Sequence, residues 1–196
     1  MQQIVFAHSP FWPVAIGFFG LGTGYFIWGG QALFQWPPDS PDVNRSMGMW
    51  GIWMNGFMQF ITGVYLMVGL TWFAVFANAP PLYMAALAFT AYGVHWFAVS
   101  HRRFIGSSAK PEAWMAITFS LIGILGMIVF FNAGDWPVGV LFLGLTLVYL
   151  TEIVTNFGMV PGRRAVGLWQ FLTGCWLMYL TYGVALDTSL GWHWRV

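Results

Sequence analysis

The sequence predicts an all-α, polytopic membrane protein, a six-helix transmembrane bundle built as a single domain over residues 1–196. Three observations carry that prediction. Hydrophobic residues make up 59% of the chain and charged residues only 7%, whereas a soluble domain is roughly one-quarter charged. The mean hydropathy is +0.70. Six apolar stretches, 12–34, 49–76, 82–100, 113–131, 137–155 and 165–186, fill most of the chain, and each has about the 20 residues a helix needs to cross the hydrocarbon layer. Only short loops and tails remain, so no separate catalytic or nucleic-acid-binding domain fits.

The first stretch begins near Phe11 with no Lys or Arg before it; the basic region of a cleaved signal peptide is missing, and the segment is expected to stay as helix one. Its Gly17, Gly20 and Gly24 are spaced three and then four, on one helix face, where small side chains let membrane helices approach closely. Loop one contains Gln35-Trp36-Pro37-Pro38-Asp39-Ser40-Pro41-Asp42, whose prolines lack amide donors and oppose helix in the residues before them. Ala79-Pro80-Pro81 starts or precedes helix three in the same way. Gly123 and Gly126 repeat the small-residue pattern in helix four. In loop four, Asn132-Ala133-Gly134-Asp135-Trp136-Pro137 combines turn formers, a helix-start aspartate and a proline near the first turn.

The few basic residues carry topological information. Arg45 falls in loop one, Arg102, Arg103 and Lys110 in loop three, and Arg163 and Arg164 in loop five, while only Arg195 lies on the opposite side. That bias directs loops one, three and five to the cytoplasm and both termini outward. Trp12, Trp36, Trp50, Trp72, Trp114, Trp136, Trp192 and Trp194 sit near segment ends, where indoles anchor at the headgroup layer. Trp96, Trp169 and Trp176 lie deeper, and each needs a partner for its ring nitrogen.

Several chemistries are excluded. Cys175 is alone, and His8, His95, His101 and His193 have no metal-ligand spacing. There is no glycine-rich phosphate loop, no paired carboxylate inside the bundle and no supported nucleophile–base pair, since Thr90 near His95 is thin ground for a hydrolase. A non-enzyme without cofactor or metal is expected. The formal charge of +1 and the small basic groups leave no footprint for a nucleic acid.

Polar groups inside lipid are costly unless paired or wetted, so Asn55, Gln59, Tyr65, Thr90, Tyr92, His95, Thr146, Glu152, Gln170 and Tyr179 are expected to turn inward. For Gln59 and Gln170, helix-to-helix hydrogen bonding and a lumen role both remain open. His95, one turn from Tyr92, is either a satisfied structural histidine or a gating, proton-sensing one. Glu152 lies near a segment end, where snorkelling or a salt bridge would suffice.

Leu87-Ala88-Phe89-Thr90-Ala91-Tyr92-Gly93-Val94-His95-Trp96 resembles the third-helix signature of the acetate uptake transporters, in which a Ser or Thr run precedes Tyr-Gly and an aromatic pair. Asn55-Gly56-Phe57-Met58-Gln59-Phe60-Ile61-Thr62-Gly63 is similar to their second-helix Gly-x-x-Gln-x-x-x-Gly pattern. Val140 to Leu147 is similar to the fifth-helix Phe-Leu-x-Leu-Thr run. The opening departs: where the family has Asn-Pro-Ala-Pro-Leu-Gly, this chain reads His8-Ser9-Pro10-Phe11-Trp12-Pro13-Val14-Ala15. Helix five and the stretch Gln170 to Trp176 also look like the proton-gated urea and short-chain amide channels, which carry a glutamate in place of Gln170 and tryptophans in place of Phe142 and Thr146.

The acetate-family resemblance implies passage of acetate and related small monocarboxylates, proton-linked or not, through a homo-hexamer of the bacterial inner membrane in which each lipid-embedded subunit holds its own pore. It implies a narrow ring of Phe19, Tyr92 and Leu145, with Gln59, Thr90 and His95 shaping its polarity. A urea or short-amide channel and a non-transporting membrane scaffold subunit stay as alternatives. Cysteine tags in loops three and four are expected to react from opposite sides of the membrane; reaction from one side would break the six-span arrangement.

Overall fold

The computed structural model describes residues 14–73, 79–159, 161–194 and 196. The start of the chain, with Trp12 and the His8-to-Pro13 motif, lies outside the described residues, as do Arg195 and the predicted continuation of helix two through 74–76. The described chain is helical throughout, with α1 Val14–Phe34, α2 Pro41–Trp50, a π-helical turn Gly51–Phe57 running on into α3 Met58–Thr71, α4 Pro81–Ile105, α5 Glu112–Asn132, α6 Trp136–Asn156 and α7 Arg163–Leu190. Because α2, the wide turn and α3 form one continuous rod, the bundle has six rods. Helices α4, α5 and α6 are each long and apolar enough to cross a membrane. The 21 residues of α1 span about 30 Å as well, although glycine and Gln31 dilute their hydropathy.

The second rod starts eight residues before the predicted 49, so Arg45 belongs to a helix and not to loop one. The apolar count missed it because this first part is polar. Its start signals are chemical: Ser40 Oγ accepts from the Val43 amide at 3.2 Å, Pro41 occupies the first turn and Asp42 follows beside the positive helix end. At α6, Asp135 Oδ1 plays the same part for the Val138 amide at 3.1 Å. The third-helix prediction ended at 100, but α4 continues to Ile105 and stops at Gly106, whose φ of 74° suits glycine. Arg102 and Arg103 are thus last-turn residues of a helix, where cations complement the carbonyl end.

Glycines set how closely the rods approach. Gly17 faces the Phe89 ring, Gly20 faces Met54 and Met58, and Gly24 faces the Asn55 amide, so the predicted stripe receives the second and third rods. A second glycine face, not singled out from the sequence, seats α1 on α7. A Cβ at Gly29 would lie 2.7 Å from the Phe171 amide nitrogen and 3.0 Å from the Gly167 carbonyl, and one at Gly167 would lie 2.7 Å from the Leu33 nitrogen. Gly22 and Gly174 make the same approach two turns away, with 3.6 and 3.4 Å to each other's carbonyls. Gly123 and Gly126 admit Thr146 and Phe142 of α6 against α5.

Backbone cannot move aside as a side-chain tip can. Gly29→Ala is expected to destabilise the solubilised protein by about 1–3 kcal/mol through overpacking, while the adjacent Gly30, with nothing near its missing Cβ, tolerates Ala. Thermal melts of the two variants in one detergent check this.

Candidate functional site

The bundle axis passes through three spaces of different chemistry. At the end that carries Asp135 and Val196 lies a cavity of about 130 Å³. Its wall is almost wholly apolar: Phe18 and Leu21 from α1, Phe89 from α4, Leu141 and Leu145 from α6, and Leu177 and Leu180 from α7. Gln59, Tyr92 and Asp135 are its polar members. Burial pushes the Asp135 carboxyl above its usual range, with the Val138 amide pulling the other way.

Below the cavity, side chains close the axis. Tyr92 and Tyr149 stack with ring centroids 5.7 Å apart and planes 5° from parallel. Phe119 packs on both, at 5.3 and 5.5 Å, and His95 sits 4.6 Å from Phe119. Tyr25, Tyr92, Tyr149, Trp96 and Leu145 are each at most 3% exposed. Beneath this layer is a chamber of about 30 Å³ bounded by Tyr25, His95, Trp96, Tyr149, Glu152 and Gln170.

The chamber adjoins a vestibule of about 470 Å³ at the end carrying loops one, three and five. Trp28, Glu112, Glu152 and Gln170 border both. All six rods contribute to its wall, among them Gln31 from α1, Asn44 from α2, Arg102 and Arg103 from α4, Glu112 from α5, Glu152 from α6 and Arg163 from α7. Arg102 pairs through two nitrogens with both Glu112 oxygens. Arg163 pairs with Asp39 at 2.6 Å, and that hydrogen bond holds the Asp39 carboxyl below the usual carboxylate range.

The residues expected at the narrow ring separate here. Tyr92 and Leu145 border the apolar cavity. Phe19 does not: it is 42% exposed on the outer face of α1, and its neighbour Phe18, 5.6 Å from Phe89, takes the inward position. A one-residue shift turns a side chain by about 100° on a helix, which a short motif without a fixed phase cannot resolve. Gln59 borders the cavity, and its Nε2 donates to the Asn55 carbonyl at 2.9 Å. Its Oε1, like both amide atoms of Asn55, is buried without a hydrogen-bond partner among the described residues. Thr90 lies away from the axis; its hydroxyl donates to the Ala86 carbonyl at 2.8 Å, and it lines an outer groove between α4 and α5. His95 touches the chamber and that groove.

Other expectations divide similarly. Asn55, Thr146 and Gln170 are buried, but Tyr65 is 47% exposed. Glu152 was expected at a boundary, yet it lines the chamber and vestibule, with no ion pair among the described residues. The deep Trp176 donates to the Pro137 carbonyl at 2.8 Å, while the Trp96 indole nitrogen has no partner among the described residues. Gln31, Tyr149 and Phe18 escaped notice in the sequence, and Arg103 was read only as a topology-setting cation of loop three. The spacing of Phe18, Leu21, Tyr25 and Trp28, three, four and three, was the available signal.

No protein-family model matches the chain, and no curated protein does. Among solved structures it is similar to the bacterial acetate channel SatP, at 19% identity and a TM-score of 0.68, with 92% of this chain and 94% of that one covered. At this identity the likeness carries the fold.

The inward phase of α1 has a direct test in thermal melts of the solubilised protein with assembly recorded alongside. Phe18→Ala and Leu145→Ala are expected to enlarge the cavity at a stability cost of about 2–5 kcal/mol each. Phe19→Ala, on the outer face, should cost clearly less; the reverse pattern would put Phe19 on the axis.

Proposed function

We propose that this protein passes acetate and related small monocarboxylates across a bacterial inner membrane, with a proton accompanying each acid. The observation that carries the reading is the change of chemistry along the axis, from an apolar cavity through the Tyr92, Tyr149 and Leu145 layer to a charged vestibule. An ionised carboxylate entering an apolar layer loses far more hydration free energy than a neutral polar group, which costs a few kcal/mol. The acid therefore crosses that layer protonated and regains its charge in the vestibule. Its methyl group is stabilised by the leucine and phenylalanine wall, at about 0.8 kcal/mol per buried carbon.

The similarity of fold to the bacterial acetate channel SatP supports the same class of permeant. Urea fits the lining less well: it has no methyl group to bury, and its four N–H donors would meet few acceptors beyond Gln59 and Asp135. We read Tyr92 and Leu145, with Phe18, as the constriction, and Gln59 and His95 as the groups that set polarity beside it. The assembly is read as a homo-hexamer whose subunits each keep their own conduit. The outward apolar side chains, including Leu87, Val94 and Leu121, and the outer groove of about 870 Å³ between α4 and α5 suit lipid and neighbouring subunits.

Purified protein in liposomes, supplied with labelled acetate or urea at acidic and neutral pH, tests the reading. Acetate is expected to enter faster than urea, to enter faster at acidic pH, and to carry protons inward. Faster urea entry would make this an amide channel, and no protein-dependent flux of either would leave the scaffold role.

A further inference from the structure

The charges around the vestibule do not pair off evenly. Glu112 engages Arg102, and Asp39 engages Arg163. Arg103 has no carboxylate partner among the described residues. Its Nε donates to Asn44 Oδ1 at 2.8 Å and one terminal nitrogen donates to Gln31 Oε1 at 3.2 Å. That same Gln31 oxygen accepts from Arg163 at 2.9 Å, so two guanidinium groups converge on one neutral oxygen.

This geometry is built and not incidental. Gln31 is 3% exposed, and its amide nitrogen donates to the Pro37 carbonyl at 3.3 Å, which fixes its oxygen toward the two arginines. The Arg103 guanidinium carbon lies 4.5 Å from the centre of the Trp28 ring. Trp28 is itself held by its indole nitrogen, which donates to the Met47 carbonyl at 3.0 Å. Two positive forks held side by side repel each other, and an anion placed between them would reverse the sign of that interaction. The other terminal nitrogen of Arg103 has no hydrogen bond among the described residues, and Arg103 lines the vestibule. Because every rod contributes to the wall, the site opens to the aqueous loop end and not to the lipid face.

We propose that the vestibule contains a carboxylate-binding site in which Arg103, seated on Trp28 and sharing the Gln31 oxygen with Arg163, receives the monocarboxylate as it leaves the apolar layer. The site rests on the monocarboxylate reading above and names the residue that recognises the ionised permeant. A planar guanidinium presents two parallel N–H groups to a carboxylate, a geometry that lysine lacks. Glu152, also bordering the vestibule, is the carboxylate that would compete with a bound anion and favour its release.

The test is calorimetric titration of sodium acetate into the full-length protein in lipid nanodiscs, in chloride-free buffer at neutral pH, with labelled-acetate flux measured on the same preparations. Arg103→Gln is expected to weaken acetate binding by about tenfold or more, the loss of one charge-assisted contact. Arg103→Lys, which keeps the charge and serves if the Gln variant fails to assemble, should weaken it less but measurably. Flux of neutral acetamide, where present, should be unchanged. Equal acetate affinity in the wild type and in whichever variant assembles would overturn the site, as would wild-type protein that binds no acetate. Acetate affinity that falls when anionic lipid replaces zwitterionic lipid would assign the arginines to a lipid headgroup and overturn it too. Arg103-dependent binding without wild-type acetate flux would uphold the site and remove the transport reading. Acetate flux with binding indifferent to Arg103 would do the opposite.

Discussion

The axial spaces depend on the backbone contact between α1 and α7. Hydrocarbon offers no hydrophobic drive for two apolar helices to meet, so their attraction comes from dispersion between closely matched surfaces. The glycine pairs Gly22 with Gly174 and Gly29 with Gly167 let the two chains touch backbone to backbone. That contact sets the rotation of α1. One inner stripe then carries Phe18 and Leu21 at the apolar cavity, Tyr25 at the chamber, and Trp28 and Gln31 at the vestibule. A single helix thus takes part in every compartment, and a change in its rotation would disturb all three together.

Helices α4, α6 and α7 likewise border all three spaces, and their side chains change in chemistry with depth. Helices α4 and α6 supply Tyr92 and Tyr149, whose stacked rings close the axis near its middle. Their ends toward loops three and five supply Arg102, Arg103 and Glu152 to the vestibule. Polar groups are therefore gathered where water can reach them, while the opposite half of the axis is lined by leucine, valine and phenylalanine. Salt bridges at the wet end tie separate parts of the chain: Arg163 at the start of α7 reaches Asp39 in loop one, and Arg102 at the end of α4 reaches Glu112 at the start of α5. The half-exposed pair of Arg163 and Asp39 holds its loop in register more than it contributes to stability, since exposed pairs are worth at most about 1 kcal/mol. Arg102 and Glu112 are more buried and held through two hydrogen bonds.

Much of this was legible in the sequence. Hydropathy gave six rods because the bilayer demands a run of apolar residues, and Asp135 with Pro137 marked the start of α6 through capping chemistry alone. What hydropathy counts, it also limits. The polar beginning of the second rod at Pro41 and the last turn of α4 at Arg102 and Arg103 were left in loops, because helix continues there where apolarity does not. The site was harder. Apolar residues cover nearly every face of these helices, so hydropathy does not separate outward-facing Phe19 from axis-facing Phe18; the aromatic and leucine spacing from Phe18 to Trp28 was the one hint, and packing against Phe89 settles it. Thr90 has a hydroxyl but satisfies it within its own helix, and Glu152 lies close to a helix end in sequence but inside the bundle in space.

The π-helical turn Gly51–Phe57 controls phase. Along the second rod the buried positions Gly51, Asn55 and Gln59 follow intervals of four and four through this turn, where an unbroken α-helix has a period of 3.6 residues. A wider turn absorbs the surplus, and such turns recur at functional positions. Phase depends on the number of residues and not on their chemistry. Loss of one residue from this turn, closing it to ordinary α-helix, would keep Gln59, Thr62 and Leu66 in phase with Met47 and Gly48. Loss of a residue from the flanking α-helix between them would instead rotate them by about 100°. Length, hydropathy and helix content would scarcely change, yet the amide bordering the cavity would point elsewhere. In this rod the surplus residue of the π turn is the place where chain length can change by one without turning the cavity-facing amide.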